Sequence, residues 1–191
     1  MKTIYFVTTN SGKLAVARAY IEQAGLQDKY IVEQLSIETP EIQDDSVEKI
    51  ALESARWAST KENKAVICAD AGMELVAVKG FPGPYVKYFN QTFTVDQVMR
   101  LFSAEDDRTA VWTDALAFYD AEDGSSVVFR SDTNGKIALV PSTKKDASTV
   151  DRLFVPEGFE VPLADMSDEE RMRAWNTSRW QKMLEYLASK N

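Results

Sequence analysis

Apolar positions along this chain follow two alternating spacings. Ile4-Tyr-Phe-Val7 is a short apolar run that ends in Thr8-Thr9-Asn10-Ser11-Gly12, a cluster of turn and cap residues. Helical spacing then takes over at Leu14, Ala17, Ile21 and Ala24 and stops at Gly25, which predicts a strand-loop-helix unit. A second strand is expected over Ile31–Ile37, followed by the polar connection Thr39–Asp45. Ser46 is placed to cap a helix running from Val47 to Thr60, with Val47, Ile50, Ala51, Ala55 and Ala58 on its apolar face.

The second half repeats the pattern with more strand. Ala65–Ala69 is an apolar run, and Glu74–Val78 reads as its continuation after a turn at Gly72. Phe93–Phe102 has helical spacing, while Thr109–Tyr119 is rich in β-branched and aromatic residues. Asp120–Gly124 signals a hairpin returning through Ser126–Arg130, and Asn134-Gly135 marks a further turn before Lys136–Val140. Pro141–Ser148 is a polar loop before a short strand at Leu153–Val155. Ser167 precedes the acidic turn Asp168-Glu169-Glu170, and a helix with a break near Asn176 runs on to Leu187. Strands and helices that alternate early and then give way to a hairpin predict an α/β or mixed α+β fold on a mixed sheet.

Composition narrows the function. The 191 residues suit one domain, or one domain with two lobes. A net charge of -8 argues against binding a nucleic acid polymer, although a local cationic pocket could still hold a small anion. No apolar stretch approaches the roughly 20 residues that span a bilayer, and the N-terminal run is too short for a secretory signal. The single Cys68 cannot form an internal disulfide, which fits a reducing compartment such as the cytoplasm. The chain has no histidine. His-ligated zinc, Ser-His-Asp triads and Cys-His dyads are therefore excluded, and carboxylates without histidine suit a hard cation such as Mg2+.

Four places carry candidate chemistry. Thr8-Thr-Asn-Ser-Gly-Lys13 lies between a strand and a helix. A helix N-terminus offers backbone N–H groups and partial positive charge, and Lys13 adds a full charge, so the segment suits a polyphosphate or is a plain cap with a solvated lysine. Glu48, with Glu41, Asp44 and Asp45 upstream, could hold a cation or simply stabilise the start of its helix. Asp70 ends an apolar run, where a carboxylate needs a partner or a task, and it either acts chemically or caps the Gly72 turn. Arg173 and Arg179 are anion ligands or part of a solvated face, and Trp112, Trp175 and Trp180 read as core.

Taken in order, these segments resemble the inosine triphosphate pyrophosphatase family. Phe6-Val-Thr-Thr-Asn-Ser-Gly-Lys-Leu14 is similar to its phosphate loop T-G-N-x-x-K-L, and Pro40-Glu-Ile-Gln43 with Ser46-Val-Glu48 is similar to its second segment. Gly80-Phe-Pro-Gly-Pro-Tyr-Val-Lys-Tyr-Phe89 resembles G-x-P-G-P-Y-[IV]-K-x-F. Phe129-Arg-Ser-Asp-Thr-Asn-Gly-Lys-Ile137 resembles F-R-G-x-T-x-G-x-I, and Phe154-Val-Pro-Glu-Gly158 resembles F-x-P-x-G.

The resemblance implies an elongated, twisted mixed sheet flanked by helices, forming a single two-lobed domain with a central cleft. It implies a homodimer that uses Mg2+ to hydrolyse inosine, xanthosine or deoxyinosine triphosphate to the monophosphate and pyrophosphate, which cleanses the nucleotide pool. Thr8, Asn10 and Lys13 fall on phosphate contacts, with Lys13 also catalytic, and Gly72 falls beside the same substrate. Glu48 and Asp70 fall on metal-side carboxylates, Asp70 also placing the attacking water. Asp151, Ser178 and Arg179 fall on the substrate's base. The pattern departs at Ala69 in place of an acid, at Glu53 in place of a lysine, at Ser148-Thr-Val-Asp-Arg152 in place of F-G-[YW]-D-P, and at Thr177-Ser178-Arg179 in place of S-H-R. Two other readings follow from these departures: a nucleotide- or partner-binding protein without turnover, and a hydrolase of another phosphorylated metabolite.

Overall fold

The structure is a computed structural model that describes residues 1–40, 42–103 and 107–190. Its sheet is mixed and has seven strands among the described residues. They are β1 (Lys2–Val7), β2 (Tyr30–Leu35), β3 (Ala65–Leu75), β4 (Pro82–Gly83), β5 (Thr109–Asp120), β6 (Ser126–Ile137) and β7 (Phe154–Pro156). Their order is β2-β1-β3-β5-β6-β7, with β4 paired to β3. The helices are α1 (Ser11–Gln23), α2 (Val47–Glu62), α3 (Val86–Thr92), α4 (Val95–Leu101), α5 (Asp168–Ala174) and α6 (Ser178–Ser189). The mixed α/β class expected from the sequence is the class observed.

The chain forms two compact units. The first comprises Met1–Asp70, Asp114–Arg130 and the segment from Thr177 onward; the second comprises Ala71–Thr113 and Ser131–Asn176. In the first unit the two-residue period of the strands sorts side chains to two faces. Ile4, Phe6, Ile67, Leu116 and Phe118 join Leu14, Ala17 and Ile21 of α1 and Trp180, Met183 and Leu187 of α6 in one buried cluster. Val66, Cys68, Ala115 and Ala117 join Val47, Ala51, Ala55 and Ala58 of α2 in another. The small alanines on that side let α2 lie close to the sheet. The second unit packs Met73, Leu75, Phe89, Val98, Phe102, Phe154 and Leu163 together.

Two expected turns fail for one physical reason, and other expectations differ in their bounds. Gly72 is not in a turn: β3 runs through it without interruption. A Cβ at Gly72 would meet the backbone of Gly83 at 2.8 Å and Thr113 Oγ1 at 3.0 Å, so the glycine makes room for β4. Asn134-Gly135 is likewise inside β6, where a Cβ on Gly135 would lie 2.4 Å from the Val155 carbonyl oxygen and 2.7 Å from the Phe154 ring. The strand expected over Glu74–Val78 stops at Leu75 and becomes a 3-10 turn over Val76–Val78. The single helix expected over Phe93–Phe102 is α4 alone, shorter at both ends, and α3 precedes it without having been anticipated. The break near Asn176 is present as the gap between α5 and α6.

Candidate active site at the carboxyl edge of the first unit

β1 runs parallel to both β2 and β3, with Val7 opposite Leu35 and Phe6 opposite Ile67. The three strands therefore deliver their following residues to one edge of the sheet. Thr8–Lys13 leaves that edge after β1. Asp70 stands on β3 beyond Ile67, the last residue paired with β1. Parallel sheets of this kind bind ligands outside the carboxyl ends of their strands.

The loop after β1 is held by its own side chains. Thr8 Oγ1 accepts from the Asn10 N–H at 3.1 Å, and Gln34 Nε2 donates to the Thr8 carbonyl at 2.8 Å. Asn10 is the N-cap of α1, and its Oδ1 accepts from the N–H groups of Gly12 at 2.8 Å and Lys13 at 3.2 Å. Two of the helix donors expected to face a phosphate are thus engaged by Asn10. The Lys13 ammonium is left to the charge work and the Asn10 amide Nδ2 to hydrogen bonding. Lys13 is exposed.

Glu48 sits in the first turn of α2 behind the N-cap Ser46, whose Oγ accepts from the Lys49 N–H at 3.2 Å and donates to Glu48 Oε2 at 3.0 Å. Its other oxygen lies 3.8 Å from Arg130 Nη1 on β6. The neighbouring Asp44 carboxyl is held below its ordinary pKa by the hydrogen bond from the Ser46 N–H. Glu41 lies outside the described residues. Asp70 is half-buried, with Oδ2 shielded from solvent. Strand periodicity puts Asp70 on the face of Val66 and Cys68, the face covered by α2, and Arg130 shares the face of Val128.

Arg179, in the first turn of α6, belongs to the opposite face. It lies 3.4 Å from Asp114 Oδ2, and the two side chains are only 16% and 19% exposed. Burial pushes the Arg179 pKa down, the Asp114 charge works against that, and the guanidinium remains charged. Ser178 opens the same helix. The candidate residues of the first unit therefore divide into three groups. The Thr8–Lys13 loop stands at the strand ends, Glu48 and Asp70 lie on the α2 side, and Ser178 and Arg179 lie on the α6 side.

Gly72 and Asp151 belong to the second unit. Asp151 faces Arg171 at 3.4 Å. Glu53, an inverted charge on α2, accepts from Arg56 Nε at 3.1 Å and Nη2 at 2.5 Å, so its charge is countered on its own helix. Cys68 is buried and its thiol is pushed up to about 12 by that burial, which removes it as a nucleophile at neutral pH. Sequence reasoning missed Arg130 and Asp114. The arginine stands in the quoted motif beginning at Phe129, and the aspartate interrupts an apolar strand just as Asp70 does.

The model of the Ham1 family matches residues 4–188. A dITP/XTP pyrophosphatase of Thermococcus kodakarensis is 34% identical over 174 residues, covering 91% of this chain and 90% of the relative. An inosine triphosphate pyrophosphatase of Ajellomyces capsulatus is 31% identical over 188 residues, covering 98% of each. Among solved structures, the Ham1 protein of Staphylococcus aureus superposes over the full length of both chains with a TM-score of 0.81 at 19% identity.

Proposed function

The chain belongs to the Ham1 family, and from that premise we propose that it is a nucleoside triphosphate pyrophosphatase. Its substrate is a purine nucleoside triphosphate with a deaminated base, such as dITP, ITP or XTP. It releases the monophosphate and pyrophosphate and so clears that nucleotide from the pool. The relatives named for this activity support the reading. The observation that carries it is the delivery of the Thr8–Lys13 loop and Asp70 to one carboxyl edge.

Water attacks the α-phosphorus, and the bond from that phosphorus to the bridging oxygen breaks. Asp70 accepts a hydrogen bond from the water, orients it in line and takes up its proton. Lys13 meets the charge that develops on the leaving pyrophosphate, and Asn10 Nδ2 donates to a phosphate oxygen. Arg179 and Ser178 contact the base. Among the described residues no group of three or more His, Cys, Asp or Glu is arranged to hold a metal. Glu48 on α2 and Asp70 on β3 are oxygen donors of the kind Mg2+ takes, one or two carboxylates to an ion. Glu48 and Asp70 are the carboxylates that would hold it, and the ion would supply positive charge to the substrate's phosphates. We read the two units as one functional domain, a reading supported by a family match that runs through both. A homodimer in the cytoplasm is the expected state, and light scattering and cell fractionation would test it.

A second reading, nucleotide binding without turnover, draws on one observation: the Glu48 carboxylate is already engaged by Ser46 and Arg130. One assay separates the two. Pyrophosphate release is measured from dITP, ITP, XTP, dATP and dGTP with and without Mg2+. Mg2+-dependent release from the deaminated nucleotides is expected. No release from any of them, with a nucleotide-dependent rise in Tm, selects the second reading.

A further inference from the structure

On the outer flank of α2 there is a second concavity that the proposed reaction does not use. It is an open depression of about 540 Å3 lined by Pro40, Ile42, Glu53, Arg56, Trp57, Thr60, Lys61 and Tyr119, all of the first unit. That volume falls within the roughly 300–1,000 Å3 typical of small-molecule sites. Trp57 stands nine positions after Glu48, which at about 100° per residue puts it on the opposite flank of the helix. The concavity is therefore separate from the Glu48 side of α2.

Its lining has a recognisable chemistry. Trp57 and Tyr119 supply half-buried rings, and Pro40 and Ile42 add apolar surface. The Lys61 ammonium lies over the Trp57 ring, 4.5 Å from its centroid, a contact that a stacking ring would replace as the ammonium turned to the ligand's anionic group. Arg56 supplies a second cation, held by Glu53 at 2.5 Å. The Glu53 carboxylate at the rim can accept from a hydroxyl or a ring N–H, and it disfavours a long polyanionic tail. On a chain of net charge -8, Arg56 and Lys61 against Glu53 leave this lining with a net positive charge beside two rings.

We propose that this concavity is a second ligand site for a flat aromatic ring carrying one short anionic group, of the nucleoside monophosphate class. The ring stacks on Trp57, the phosphate meets Lys61 and Arg56, and Glu53 accepts from a sugar hydroxyl. This assignment stands independently of the pyrophosphatase reading.

The test is calorimetric titration of the intact protein with adenosine 5′-monophosphate, a ring the active-site reading does not favour. Saturable one-to-one binding that weakens with added salt is expected. Trp57→Ala should weaken it at least about tenfold, by loss of a stacking surface. Trp57→Phe should retain most of it, and Lys61→Glu should lose at least as much as Trp57→Ala. Circular dichroism establishes that each variant folds, and Lys13→Ala should leave the titration unchanged. Absence of saturable binding to the wild-type chain overturns the proposal. So does binding that survives both Trp57→Ala and Lys61→Glu, or that disappears in Lys13→Ala, since the ligand would then occupy the other site.

Discussion

The two ends of β1 show how differently one unit can use its charges. Where the strand begins, charges are locked at short range. Lys2 Nζ lies 2.5 Å from Asp120 Oδ2 and 2.9 Å from Glu122 Oε2, and Lys190 lies 3.1 Å from Asp123 while also bonding Ser125. Ser59 Oγ donates to the Lys64 carbonyl and accepts from the Ala121 N–H at 2.9 Å, which ties α2 to the hairpin. Where the strand ends, Lys13 is exposed, and the ion pairs Arg179–Asp114 and Arg130–Glu48 are 3.4 and 3.8 Å long. Short pairs around a buried acid close the hairpin. At this end it is the exposed Lys13 that the proposed reaction would turn to an arriving phosphate.

Substitutions can break this contrast. At the carboxyl edge, Asp70→Asn should lower pyrophosphate release by about 10²–10³-fold while changing Tm little, a combination read from kinetics and a thermal melt. Lys13→Ala should cost about 10²-fold in kcat/KM, again with an unchanged melt, because Lys13 is exposed in the folded chain.

At the other end the signs reverse. Lys2→Met leaves Asp120, whose side chain is 2% exposed, without its nearest cation. It should cost about 2 kcal/mol of stability, less than a fully buried pair because Lys2 is 39% exposed, and it should leave turnover intact. Partial burial works against the Lys2 charge, yet Asp120 and Glu122 outweigh it and push its pKa up from 10.5 to about 12. A raised pKa stabilises the folded state fully below pH 10.5 and loses that contribution as pH rises through about 12. The denaturant midpoints of wild type and Lys2→Met should therefore converge over that window. The smallest effect is expected at Glu53→Gln, which breaks an exposed pair within α2 and should cost less than about 0.5 kcal/mol in chemical denaturation.

Much of the edge that carries the candidate site was legible. The run Ile4–Val7 followed by turn and cap residues placed the loop, and Asp70 stood out as an acid in an apolar run. The Ser46 cap was readable, and so was the alanine-rich face of α2. Glycine was the main source of error. At Gly72 and Gly135 the missing side chain admits another strand, and nothing local reveals which strand passes. The turn residues of Gly80–Pro84 also hid α3, whose Val86 and Phe89 are buried. The partners of Glu48 and Arg179 were not legible, because Arg130 and Asp114 reach them only once the sheet has ordered its strands. The same holds for the charge of Glu53, whose reversal in the sequence is countered in the structure by Arg56 one turn along.

In the proposed mechanism Asp70 positions the attacking water beside a phosphate held by the Lys13 loop. The most direct test is pyrophosphate release from saturating dITP with Mg2+ by Asp70→Asn beside the wild type. A loss of about 10²–10³-fold in kcat is predicted. A variant that turns over at the wild-type rate would contradict the claim.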